Sequence, residues 1–198
     1  MEIKQITLTC ISDNKGRYLY RSFGYLFMSY LTNTFREFSN HGTENLLNFD
    51  ISYDDTLKIT ARCNEEQMDC LSFIRYFTLN GAHYHIINRE ITSITIEKGN
   101  YHIEIPRLCL KRQKNKDKHI LRNEDEICEK LYEYGVLADS IQYLGNDIII
   151  LHGSKKTIHN VNFDIEVNDN YDWFCDKVRN GFGLLKNQGC GFVHTYLV

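Results

Sequence analysis

The spacing of apolar residues limits this chain more than any single motif does. It alternates between the two-residue period of a strand and the 3.6-residue period of a helix, in the same order twice. Ile3, Ile6 and Leu8, separated by polar residues, predict a strand from Glu2 to Ile11. From Arg17 the period lengthens: Leu19, Phe23, Leu26, Phe27, Tyr30, Leu31, Phe35 and Phe38 recur at helical steps. They predict a helix of about five turns, stopped by Ser39-Asn40-His41-Gly42. Asn48–Tyr53 and Leu57–Arg62 read as strands around the turn Asp54-Asp55. Asn64 with Gln67 forms a capping box that opens a second helix reaching Phe77, with Met68, Leu71 and Ile74 inward. Ala82–Ile87 and Ile91–Ile96 follow as strands, so this half carries an extra hairpin strand.

The second half runs through the same order. Tyr101–Leu110 predicts a strand and a basic loop follows it. A capping box at Asn123 and Glu126 then opens a helix ending at Gly135. Strands at 140–151 and 157–167 precede a short helix at 171–179, a glycine-rich loop at 181–191 and a last strand at 192–198. Each half is therefore β-α-β-β-α-β. The predicted fold is α+β, a tandem of ferredoxin-like domains over 1–99 and 100–198. The duplication rests on element order, not on repeated residues.

Charge narrows the function. With 23 basic against 26 acidic residues the chain is not a uniformly basic nucleic-acid coat, although a local basic patch is allowed. Seven cysteines, none in a C-x-x-C spacing and most among apolar neighbours, predict buried reduced thiols rather than a disulfide framework or a zinc site. The start MEIKQITLTC lacks a signal-peptide pattern, and no apolar run approaches the ~20 residues of a membrane span, so a cytoplasmic protein is expected.

The most specific segment is GFGLLKNQGCGFV, residues 181–193. Gly181, Gly183, Gly189 and Gly191 form two G-x-G pairs around Lys186 and Asn187. Glycines let backbone amides approach a phosphate, and a lysine adds a point charge. The plainer reading is a tight helix-to-strand connection. The context, after a helix and before a strand, is the reverse of a dinucleotide fingerprint.

This segment resembles the C-terminal glycine-rich loop of the RAMP superfamily of CRISPR-associated proteins, and within it the Cas-six endoribonucleases that cut CRISPR repeat RNA. The tandem ferredoxin-like outline and the chain length are similar as well. The resemblance implies RNA contact along the loop and metal-free, cofactor-free transesterification assisted by a histidine near the first helix. His41 occupies that position in the turn after it. Imidazole titrates near neutrality and so serves as acid or base. Tyr25 and Tyr30 on the preceding helix are candidates to donate or orient, and Lys58 to offset phosphate charge.

A second basic feature comprises Arg107, Lys111, Arg112, Lys114, Lys116, Lys118 and Arg122, seven cations in sixteen residues. Its place after the first strand of the second half resembles where repeat-cleaving enzymes grip an RNA stem, and such cations bind phosphate without reading sequence. The expected partners are CRISPR repeat RNA or crRNA and other subunits of an effector complex, with no membrane. His83 and His85 alternate on one strand without an evident third ligand, so no metal site is expected. A non-catalytic RAMP subunit holding guide RNA is the alternative. A tandem ferredoxin-like interaction protein without RNA is the third reading.

Overall fold

The computed structural model describes residues 1–12, 21–39, 47–110, 124–138, 140–151 and 153–198. Its first half comprises β1 (Glu2–Ser12), α1 (Phe23–Thr34), β2 (Asn48–Tyr53), β3 (Leu57–Arg62), α2 (Glu65–Phe73), β4 (Tyr76–Leu79) and β5 (Ala82–Thr95). These strands form an antiparallel sheet in the order β2-β3-β1-β5-β4. The second half comprises β6 (Gly99–Leu108), α3 (Glu124–Glu133), β7 (Ile141–Leu151), β8 (Ser154–Val167), α4 (Tyr171–Asn180) and β9 (His194–Leu197), with sheet order β7-β8-β6-β9. Setting β4 aside, each sheet places the first strand of its own half between the third and the fourth. That is the ferredoxin-like arrangement, present twice.

Three local boundaries differ from the sequence reading. The first long helix ends at Thr34, where Phe35 turns extended (φ −128°, ψ 125°). A single 3-10 turn, Arg36–Phe38, then returns Phe38 to the core, so the helical spacing of the phenylalanines continues across a break. Asn64 does cap α2, accepting from the Gln67 amide at 2.8 Å, but the helix stops at Phe73. Tyr76–Leu79 is the extra hairpin strand, pairing with Ala82–His85. The two strands expected at 82–87 and 91–96 are one strand, bent by a bulge: Thr9 pairs with Asn88 and Cys10 with Ile86, which leaves Ile87 as the extra residue.

Burial follows the pleat. Ile6, Leu8, Cys10, Phe49, Ile51, Leu57, Ile59 and Ala61 face α1 and α2 and pack on Phe23, Phe27, Leu31 and Leu71. Burial pushes the Cys10 thiol up to about 12, so it is protonated and inert. The second core gathers Ile103, Ile105, Ile127, Leu131, Phe163 and Phe174, and also takes in Ile3 and Ile96 from the end of the first sheet. All seven cysteines are free thiols. No helix among the described residues is long and apolar enough to cross a membrane.

Candidate nucleic-acid interface

The glycine-rich loop is a clasp between the two halves. The amides of Gly181, Phe182, Leu184, Gln188, Cys190 and Gly191 donate to the carbonyls of Lys177, Gly191, Cys109, Leu185, Leu185 and Arg107. A Cβ at Gly191 would stand 1.8 Å from the Phe182 carbonyl oxygen, and one at Gly183 would stand 2.3 Å from that of Cys109. Across the interface, a Cβ at Gly24 of α1 would stand 1.9 Å from the Gln188 carbonyl oxygen. The expectation that these main-chain amides cradle phosphate is therefore corrected at the positions named: their protons are spent on protein carbonyls. Gly181, Gly189 and Gly191 are buried, and the glycines serve close backbone approach and positive φ.

Around this clasp a small third core joins Cys109, Ile149, Leu151, Ile158 and Cys190, with Tyr25 and Leu185 packed against it. Tyr25 thus sits half-buried where α1 meets the β7–β8 hairpin. Arg21, just before α1, accepts the Ile150 amide on its carbonyl at 2.8 Å and places its guanidinium 3.5 Å from Asp147. Lys156 pairs with Ile149, so its exposed side chain stands on the same face as this core, at its rim. Lys186, beside Leu185, is half-buried. Burial and neighbouring Lys177 lower its pKa, and Asp176 opposes them. Arg21, paired with Asp147, and Lys156 therefore flank the core on which Tyr25 packs. Cys109 and Leu110 lead directly from it into the basic run at Lys111.

The expected catalytic residues are not all brought together. His41, Lys111, Arg112, Lys114, Lys116, Lys118 and Arg122 lie outside the described residues. Tyr30 donates its hydroxyl to the Tyr76 carbonyl at 3.4 Å, on the β4 side of α1, and burial raises its phenol pKa. Lys58 alternates with the inward Leu57 and Ile59, so it projects from the opposite face of the sheet. It cannot share a site with Tyr25 and Tyr30. Arg107 is 3% exposed and cannot reach a ligand from that position. Asn187 lies in the 3-10 turn Lys186–Gln188.

The open face of the first sheet meets the second half at one end. Arg62, 2% exposed, donates from Nη1 to the carbonyls of Val178 and Val193 at 2.6 and 2.9 Å and lies 4.1 Å above the Phe192 ring. Burial lowers its pKa to about 9, and neighbouring Asp50 opposes that shift. His194 Nε2 pairs with Asp50 Oδ2 at 3.0 Å, and His102 Nδ1 with Asp164 Oδ1 at 2.6 Å. Nothing in the sequence marks either histidine, because their partners lie 144 and 62 positions away. Among the described residues no group of three histidines, cysteines or carboxylates is placed to share a metal ion.

No family model matches this chain, and no curated protein matches it. Solved structures do. A RAMP protein that binds different RNA substrates superposes with a TM-score of 0.70 at 11% identity, over 98% of this chain and 99% of its own. A CRISPR-associated protein Cas6 gives 0.70 at 14% identity, over 99% of this chain and all of its own. Cse3 from Thermus thermophilus, bound to an RNA representing a pre-cleavage complex, gives 0.67 at 14%, over 98% and 99%. The chain has, from end to end, the fold of these CRISPR RAMP and Cas6-type proteins.

Proposed function

We propose that the protein is a metal-independent endoribonuclease that binds CRISPR repeat RNA and cuts precursor crRNA, with His41 as its acid–base group. The observation that carries this reading is the whole-length likeness of fold, with α1 locked against the glycine-rich clasp near Arg21 and Lys156. In the reaction the 2′-hydroxyl loses its proton and its oxygen bonds to the adjacent phosphorus. The bond to the 5′-oxygen then breaks and that oxygen takes up a proton. The products are a 2′,3′-cyclic phosphate and a free 5′-hydroxyl, and an imidazole suits either proton transfer. Arg21, Lys156, Lys186 and the run from Lys111 to Arg122 supply the phosphate contacts. The glycines hold the surface in shape. Retention of the cut RNA would make the chain a subunit of an effector complex.

The second reading, a non-catalytic subunit that holds guide RNA, is favoured by one observation: Tyr25, Tyr30 and Lys58 do not converge. His41→Ala separates the two. The enzyme loses repeat cleavage and keeps RNA binding. If the wild type binds the repeat without cutting it, the second reading holds.

A further inference from the structure

Among the described residues, the second half covers the open face of the first sheet only at the Asp50–Arg62 end. The far end of that face carries a row of exposed side chains that cross-strand register aligns side by side: Tyr76 on β4 opposite His85 on β5, and His85 opposite Ile11 on β1. Tyr76 is 67% exposed and Ile11 44%. Thr78 and His83 form a second pair on the same face, joined through Thr78 Oγ1 and His83 Nδ1 at 2.9 Å. One row further in lie Asn88, Thr9, Lys58 and Ser52, again cross-strand partners. Neighbouring strands stand about 4.8 Å apart, so Tyr76 and Ile11 bracket about 10 Å of flat surface.

In these two rows Lys58 is the one formal charge among the described residues. Among the described residues, carboxylates begin in the next row, with Glu90 and Asp50, and at Asp54-Asp55 in the turn beyond Lys58. A protein partner seated here would bury Lys58, Asn88, Ser52 and Thr9 under an interface, which costs free energy unless each is matched. A single-stranded polynucleotide matches the set as it stands. Bases have apolar faces for a phenol and an imidazole, hydroxyls and base edges for the short polar side chains, and a phosphate for the ammonium group.

We propose that this exposed end of the first sheet, centred on Tyr76 and His85 with Lys58 beside them, binds unpaired bases of single-stranded RNA. The site rests on the RNA-binding part of the reading above, not on cleavage, and it lies on the opposite face of the sheet from α1.

The test is fluorescence anisotropy of the full chain with a labelled eight-nucleotide oligouridylate, in parallel with a repeat-derived hairpin. Tyr76→Ala weakens oligouridylate binding about ten-fold, and Tyr76→Phe stays within about two-fold of wild type because the ring persists. His85→Ala weakens it too, and neither alanine variant changes hairpin cleavage. Tyr76 is exposed, so its truncation leaves the core intact, and the melting temperature checks this. The proposal is overturned if wild type fails to bind the oligomer, or if both alanine variants bind it like wild type. It is equally overturned if Tyr76→Ala only dissolves a self-associated form seen by sedimentation. Failure of hairpin cleavage with Tyr76-dependent oligomer binding intact would refute the endoribonuclease reading alone.

Discussion

Replacing Arg62 tests whether the two halves are held in one arrangement. Its guanidinium makes the 2.6 and 2.9 Å bonds to Val178 and Val193, two of 3.3 Å to Gln5 Oε1, and the stack on Phe192. Hydrogen bonds to a charged group contribute about 1.5–3 kcal/mol each, and a buried carbonyl left unpaired costs about 1–3 kcal/mol. Against this, removing the cation relieves the burial that lowers its pKa. Breaking such a buried constellation by deleting one member typically costs about 3–5 kcal/mol. For a chain of this size that is a fall in Tm of about 6–20 °C. Arg62→Met keeps apolar packing on Phe192 and loses the bonds, so it should lie between Arg62→Ala and wild type. Urea unfolding followed by tryptophan fluorescence reads the second half, where Trp173 packs against the core. A loss below about 1 kcal/mol for Arg62→Ala would show that these contacts do not hold the halves together, because exposed substitutions cost no more than that.

Two further outcomes follow from the same contacts. Gly191→Ala puts a methyl 1.8 Å from a carbonyl oxygen and should cost more than about 4 kcal/mol, whereas Gly153→Ala, with nothing within 4 Å, pays only left-handed strain of about 1 kcal/mol; thermal melts of the two variants check the contrast. His159 is 3% exposed, and burial lowers its pKa below 6.5. The unfolded chain therefore binds the extra proton as pH falls through 6.5, and stability drops from there toward the lower folded value. Melting temperatures from pH 7.5 to 5 should fall more steeply for wild type than for His159→Gln, and parallel curves would contradict this.

Most of the element order was legible because apolar period depends only on local spacing. Ile3, Ile6 and Leu8 alternate in β1, and Asn64 caps α2 as its capping box indicates. The fourth strand was missed because four residues, Tyr76–Leu79, are too short to establish a period against the helix before them. Nothing in the sequence marks Gly24, and only the crossing of Gln188 explains it. Local spacing does not mark Arg62, two residues before a helix cap, because its partners Val178 and Val193 come from the far half. The position of Lys58 was open to inference. Inward Leu57 and Ile59 send it to the face away from α1, which separates it from the tyrosines it was grouped with. The glycine pairs marked a real feature, but sequence spacing does not tell an amide aimed at a phosphate from one aimed at the Cys109 carbonyl.

Incubation of the protein with its cognate CRISPR repeat RNA in excess EDTA, followed by analysis of the product ends, tests the proposed cleavage. One cut is expected, leaving a 2′,3′-cyclic phosphate and a 5′-hydroxyl, and it is lost in His41→Ala. Intact RNA in EDTA, or products bearing a 5′-phosphate, would contradict that mechanism.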